Sequence, residues 1–303
     1  MPDFRLRVFQ SVARHLSFTR AAQELYITQP AITKHIRELE RTYGQRLFER
    51  RGNRISLTEA GALLLRHANE VEQLHQSLTE QLHNLHGEAA GRLRLGASTT
   101  ISQYVLPAIL PGFQQRYPQV ELTLLNGNSE QIAEALLAGQ LDVGFVEGRS
   151  KSRDLHYEPL LDDELIAVRQ ATPAGPPAQP LPLAEALAHP LVLRERGSGT
   201  LEVLEFALRE RGIRLASLSV AFYFDNTEAI KTYLEAAPQA LGFVSRRALT
   251  RELAAGLLEE VPIAGLQLQR QFESLWIQGQ PLPRPAERFL RYIQQAITSG
   301  NNL

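Results

Sequence analysis

Cysteine is absent from the 303 residues, and methionine and tryptophan occur once each. Disulfides, iron–sulfur clusters and thiolate zinc sites are therefore excluded. No run of about 18 apolar residues, the length a membrane helix needs, occurs anywhere. The opening MPDFRLRVFQSVARHLSF lacks the uninterrupted apolar core of a signal peptide. The expectation is a cytoplasmic protein with no membrane partner. Catalytic signatures are missing too. No G-x-S-x-G elbow surrounds Ser98, no His/Asp partner is suggested for it, and the GSGT at 197–200 lacks the lysine of a P-loop. His75, His83 and His86 lie on a polar-rich helical stretch without an acidic partner set, which reads as solvated surface. No enzyme, cofactor or metal is expected.

What is present is a polarised charge distribution. Residues 1–58 hold 11 Lys/Arg against 5 Asp/Glu, or +6, whereas the remaining 21 bases and 28 acids give −7. A basic head on an acidic body suits a polyanion-binding module joined to something else, and the length suits two or three domains.

The head reads as three short helices and a ribbon. Phe4, Val8, Phe9 and Val12 make one apolar face; Ser17 caps a second helix carrying the small pair Ala21–Ala22; Thr28 and Pro30 start a third, which Gly44 ends. At 100° per residue, Thr33, Lys34, Arg37 and Arg41 fall within about 60° of Pro30, while Ile32, Ile36 and Leu39 gather opposite. One face is for a core and the other for a partner, as a major-groove recognition helix requires. Gln29 and Thr33 suit base edges, and Lys34 and Arg37 suit guanine or phosphate. RLFERRGNRISLT reads as two strands around Gly52–Asn53, with Arg50, Arg51 and Arg54 as flanking backbone or minor-groove contacts. The partner is double-stranded DNA.

Thr58 then caps a long helix over about 59–86. Leu64, Val71, Leu78 and Leu85 recur every seven residues, with Leu74 at a d position and Leu82 alongside. Such a stripe is a seam for a second copy or for the chain's own domain; His67 and Gln81 at the other d positions weaken it, and dimerisation is the reading adopted.

From Gly91 strands and helices alternate: RLRLGA, a helix over 98–117 interrupted by Pro107 and Pro111, VELTLLN, a helix over 129–138, and LDVGFVE. After the Pro-rich segment 171–190 come LVLRE, SVAFYF and LGFV, each followed by a helix, then FESLWI and a last helix over 285–297. This is the pattern of parallel α/β sheets. The final strand and helix cross back to the first set, so two lobes with hinges near 163–169 and 266–272 are expected. GASTTIS and RGSGTLE each end a strand and open a helix, one per lobe. Helix N-termini and hydroxyls at strand ends suit an anion. Ser98, Thr99, Thr100, Ser198 and Thr200, with Gln103 a turn on, are the expected ligands of a small carboxylate or oxyanion. Ser and Thr are also ordinary caps, so the case rests on the two starts facing each other. Further candidates for the cleft are Ser129, which opens another helix, Glu147, just past a strand end, which beside an anion must be protonated, paired or turned away and could instead receive an amine, and the aromatics Phe222 and Phe224, as wall or core.

The stretch FxxVARHLSFTRAAQELYITQPAITKHIRELERTYGQRLFER…ISLTEAG, across 4–61, resembles the winged helix-turn-helix of LysR-type transcriptional regulators. The resemblance implies a multidomain fold: a winged helix-turn-helix at 1–58, a linker and dimerisation helix at 59–87, and a periplasmic-binding-protein-like effector domain at 91–303. Lobe I would hold about 91–163 and 270–303, and lobe II about 169–266. It further implies a bacterial regulator, dimeric or tetrameric, on paired DNA half-sites, meeting RNA polymerase where it activates. The family's DNA contacts fall on Gln29, Pro30, Thr33, Lys34 and Arg37, with Arg50 and Arg51 on the wing. The GASTT and GSGT pattern is similar to that of sulfur-assimilation regulators in the family, which implies sulfur oxyanions or acetylated serine as effectors. The rivals are a transport-type solute-binding protein, against which the basic head argues, and an anion sensor without a regulatory DNA role.

Overall fold

The computed structural model describes residues 3–51, 54–84, 91–172 and 179–298; side chains at 50, 51, 54 and at several positions from 72 onward in the long helix lie outside that description. The chain divides into two compact units, Met1–Glu88 and Ala89–Leu303.

The first unit begins with helices α1 (Phe4–His15), α2 (Phe18–Glu24) and α3 (Gln29–Tyr43). Ser17 Oγ accepts the Arg20 amide and caps α2. Thr28 holds the cap position of α3 without a side-chain bond, and Gly44 ends that helix at φ 66°. Strands β1 (Phe48–Arg51) and β2 (Arg54–Leu57) pair antiparallel from Phe48↔Leu57 to Arg51↔Arg54; the Gly52–Asn53 turn lies outside the described residues. Thr58 Oγ1 accepts the Gly61 amide at 3.0 Å and donates to the Arg46 carbonyl at 2.6 Å. It thereby starts α4 (Glu59–Asn84) against the strands. The core gathers Val8, Phe9, Val12, Ile32, Ile36 and Leu39. Each such aliphatic side chain contributes roughly 1.5–3 kcal/mol on burial, which fixes the face of α3 that stays outside.

Helix α4 uses its stripe in two ways. Leu64 and Leu65 pack on the head core and Ala68 is buried, whereas Val71, Leu74 and Leu78 are exposed, Leu74 by 71%. Leu64 therefore serves its own domain, a correction to the uniform seam expected from heptad spacing. The Leu82 side chain and the whole of Leu85 lie outside the described residues.

The second unit is one nine-stranded sheet. Chain order runs β3 (Gly91–Ser98), α5 (Thr99–Tyr104), α6 (Leu106–Arg116), β4 (Val120–Gly127), α7 (Ser129–Leu137), β5 (Val143–Glu147) and β6 (Leu155–Gln170). There follow α8 (Leu183–Ala186), β7 (Leu191–Arg194), α9 (Gly199–Arg209), β8 (Val220–Phe224), α10 (Thr227–Ala236) and β9 (Leu241–Ser245). Helix α11 (Thr250–Ala254), β10 (Leu258–Glu260), β11 (Leu268–Ile277) and α12 (Arg284–Thr298) complete it. The order is β4-β3-β5-β11-β6-β9-β7-β8, with β10 on β6. Strand β3 runs parallel to β4 and β5, and β7 parallel to β8 and β9. These two parallel sets are joined by β6 and β11, paired antiparallel from Leu268↔Leu165 to Ile277↔Leu155. The segments expected as hinges are thus parts of two long strands. Lobe I closes on Phe113, Phe145 and Phe289, with Phe113 and Phe289 edge to face at 5.0 Å. In lobe II, Leu165 and Ala167 join one apolar cluster and Ile166 and Val168 another, the alternation of a strand covered on both faces.

One expected helix is two. The 98–117 segment breaks at Val105, with Pro107 in the first turn of α6 and Pro111 inside it. A proline lacks the N–H that would continue the ladder, so α5 keeps only six residues and its dipole is small.

Candidate functional site

The outer face of α3 presents Gln29, Pro30, Lys34, Arg37 and Arg41 to solvent, with Thr33 half-buried. Gln29 Nε2 donates to Thr33 Oγ1 at 3.3 Å, and that hydroxyl donates to the Gln29 carbonyl at 3.1 Å. The two groups nearest the helix start are thereby pre-oriented. Glu40 Oε1 accepts the Leu47 amide at 2.9 Å and ties the end of α3 to the β1–β2 ribbon, on whose strands Arg50, Arg51 and Arg54 lie. A groove lined by Thr33, Arg37, Arg46 and Thr58 runs between helix and ribbon. A convex basic helix with an adjacent ribbon matches what a duplex groove and its phosphates demand.

In the second unit the two expected helix starts meet. Ser98, Thr99 and Thr100 at the head of α5 and Ser198 and Thr200 at the head of α9 are all buried. Neither Ser98 nor Ser198 makes a capping bond. Ser98 Oγ donates to Glu147 Oε2, Thr100 Oγ1 donates to Glu147 Oε1 at 3.4 Å, and Ser129 Oγ donates to the Glu147 carbonyl at 2.6 Å. The Glu147 carboxylate therefore occupies the position between the helix starts.

Two arginines that the sequence reading missed complete the cluster. Arg270 Nε donates to Asp163 Oδ2 at 2.6 Å and Nη1 to Thr200 Oγ1 at 2.9 Å, with Glu147 Oε1 3.6 Å from Nη1. Arg194 Nη2 donates to Thr99 Oγ1 at 3.2 Å and to the Asp225 carbonyl at 3.1 Å, and Nε donates to Glu195 Oε2 at 2.8 Å. Among the described residues, Arg194 Nη1, Arg270 Nη2 and Ser198 Oγ are buried without a partner. A buried donor left unpaired is costly, and each of these three belongs to a side chain that bonds to or stands at one of the two helix starts, Arg194 at Thr99, Arg270 at Thr200 and Ser198 at the head of α9. The only sequence signal for these arginines was a lone base in each apolar strand, LVLR and LQRQFESLWI.

Two expected ligands stand apart. Gln103 is exposed on α5, although Ser102 before it and Val105 after it are buried. Phe224 packs against the Ile230 and Leu234 cluster and stacks on Phe222 at 4.8 Å, so it belongs to the wall beneath α10. Among the described residues no cluster of His, Asp or Glu suited to a metal occurs, and no helix is long and apolar enough to cross a membrane.

Lobe I and lobe II touch on both sides of this cluster. Tyr104 donates to Glu228, and Arg149 lies with its guanidinium 3.7 Å from the Phe206 ring centre while its amide reaches Glu202 Oε2 at 2.9 Å. Burial and the Glu228 carboxylate hold the Tyr104 phenol protonated well above its usual range. Gly199 is the tightest point, since a Cβ there would lie 2.0 Å from the Glu147 carbonyl oxygen. Beside the cluster a cavity of about 710 Å³ opens, lined by Ser129, Glu147, Ser198 and Tyr223 among others.

The family described as "Bacterial regulatory helix-turn-helix protein, lysR family" matches residues 4–62, and "LysR substrate binding domain" matches 86–298. The uncharacterized HTH-type transcriptional regulator YeiE of Escherichia coli K12 is 35% identical over 295 residues, covering 96% of this chain and 97% of that protein. CbnR complexed with its target DNA superposes with a TM-score of 0.64 at 22% identity, over 97% of this chain and 99% of that one. The regulatory domain of Synechocystis PCC6803 CcmR in complex with 2-PG gives 0.61 at 26% identity, over 70% of this chain and 98% of that one. A DNA-reading head, a two-lobed α/β body and relatives that regulate transcription rather than catalyse reactions agree: the chain belongs to the LysR family of DNA-binding transcriptional regulators.

Proposed function

We propose that this regulator reads paired DNA half-sites as a dimer or tetramer and is switched by a small anion, an oxyanion or a carboxylate, held between its two lobes in the cytoplasm. Gln29, Pro30, Thr33, Lys34 and Arg37 enter the major groove, and Arg50, Arg51 and Arg54 follow the flanking backbone. The turns of α4 carrying Val71, Leu74 and Leu78 supply a seam for a second copy, and RNA polymerase is the further partner where the protein activates. The observation that carries the anion is the trio of buried, unpaired donors Arg194 Nη1, Arg270 Nη2 and Ser198 Oγ. Ser98, Thr99, Thr100, Ser129 and Thr200 complete the cradle. In the absence of effector the Glu147 carboxylate stands in for the anion, and the effector takes its place. CcmR with 2-PG bound supports an anionic ligand class. Effector binding alters the angle between lobes, and a dimer passes that change to the spacing or bend of the bound DNA.

The test is a thermal-shift titration of the full chain with sulfite, sulfate and small carboxylates, since a ligand that binds only the folded state raises its melting point. A shift with one of these anions that disappears in the Thr100→Val/Thr200→Val variant supports the cradle. A shift that survives the variant places the anion elsewhere, and a shift with amines alone would make Glu147 the ligand of a cationic effector.

A further inference from the structure

Helix α2 ends in a complete Schellman motif. The Ile27 amide donates to the Ala22 carbonyl at 3.1 Å and the Tyr26 amide to the Gln23 carbonyl at 3.4 Å, which forces the residue between them and the cap, Tyr26, into the left-handed region at φ 54°. Glycine occupies that position cheaply; a side chain with a Cβ is strained there. The same chain shows the ordinary solution three times. Gly139, Gly212 and Gly256 close α7, α9 and α11 with the same pair of bonds, at φ 69°, 73° and 65°. Among the described residues, Tyr26 alone carries a large aromatic in this motif.

Packing does not account for it. Tyr26 is 95% exposed, whereas Leu16, the other residue with a side chain at positive φ, is 47% exposed. Among the described residues no side-chain hydrogen bond or ring contact reaches Tyr26. A strained residue whose side chain touches nothing in its own fold points to a contact made elsewhere. Its location names the partner: Tyr26 stands in the turn that delivers α3, three residues before Gln29, where that helix begins.

We propose that Tyr26 is a DNA-positioning residue, its hydroxyl donating to a backbone phosphate and its ring lying against the adjoining sugar, so that it sets the depth at which α3 enters the groove. This rests on the reading of α3 as the recognition helix. Tyrosine is one of the side chains that serve phosphate and sugar contacts, which fix register without reading sequence. Being uncharged, it displaces no counterion and leaves the salt dependence of binding unaltered.

The experiment compares full-length wild type, Tyr26→Gly, Tyr26→Phe and Arg37→Ala. Binding is measured to a duplex selected by the wild-type chain from a random pool and to a non-cognate duplex of equal length, over a range of salt. Tyr26→Gly should raise the melting temperature, because the strain is relieved, yet weaken both duplexes by about tenfold. The salt slope and the selected base preference should not change, and Tyr26→Phe should lose part of the affinity. Wild-type affinity in Tyr26→Gly, with Arg37→Ala weakened, overturns this inference alone. If neither variant weakens binding, the reading of α3 falls with it. An altered base preference in Tyr26→Gly overturns the phosphate contact in favour of base reading.

Discussion

Arg270 Nη1 stands 3.6 Å from Glu147 Oε1, and neither side chain is more than 2% exposed. Two charges so far from water interact strongly, and Asp163, on the other edge of the guanidinium, is shared with Arg247, whose Nε lies 3.7 Å from Asp163 Oδ1. An incoming anion therefore meets the Glu147 carboxylate as a like charge at the head of α5.

Glu147→Gln removes that like charge and keeps an oxygen to accept from Ser98 and Thr100. Affinity for an anionic effector should rise by about tenfold or more, as expected when a like charge leaves a desolvated site. Calorimetric titration of wild type and variant with the anion that shifts the melting point checks it; weaker binding in the variant would mean that Glu147 is a ligand and not a stand-in.

Asp163→Ala leaves Arg270 without its 2.6 Å partner in a buried site. Breaking a buried pair from one side costs about 3–5 kcal/mol. Differential scanning calorimetry of the full chain should show one transition markedly lowered, while Asp163→Asn, which keeps the acceptor oxygen, should lose less.

Gly199→Ala drives a methyl group into the Glu147 carbonyl oxygen, 2.0 Å away. The obstacle is backbone on both sides, so the lobes must part. Effector affinity should fall with the helix intact, which circular dichroism verifies. Small-angle scattering should show a slightly larger radius of gyration.

Arg37→Ala should weaken binding to the selected duplex by about 1–3 kcal/mol if the guanidinium reads a base. A loss below about 0.5 kcal/mol, measured by fluorescence titration, would mean the side chain is idle.

Glu24 accepts from Ser11 and lies against Arg14 and His15. The Ser11 hydrogen bond, against the opposing effect of burial and with help from Arg14 and His15, holds its carboxyl below the usual range. Its stabilising contribution is complete above the ordinary glutamate pKa and lost as pH falls through the lowered folded value. Glu24→Gln should therefore flatten the acid limb of the head's melting curve, with a cost near neutrality of about 1 kcal/mol, reduced because the site is partly exposed.

The sequence spoke most clearly where function is carried by local periodicity. Ile32, Ile36 and Leu39 oppose Lys34, Arg37 and Arg41 at helical spacing, and caps and glycines mark the ends, so α3 was legible. Arg194 and Arg270 were not, because a buried charge has no period. Each is one base inside an apolar strand, and Arg270 meets Asp163 only across 107 positions of chain. Strand β6 was hidden for a related reason. Pro159 and the acidic run Asp162, Asp163 and Glu164 mask its alternation, and it becomes a strand because β11 and β9 pair along it. Gln103 and Phe224 illustrate the opposite error: a residue one turn past a helix start, or near a strand end, is placed by helix length and packing, which Pro107 and the cluster under α10 decide.

The β6–β11 ribbon has a mechanical meaning. Chains that cross between lobes through loops behave as free joints, whereas a continuous hydrogen-bonded ladder resists being folded and yields by twist. The lobes of this protein are thus mounted on a leaf spring. A ligand that altered the angle between the lobes would therefore have to twist this ribbon, whose register shifts once, between Phe272 and Glu273.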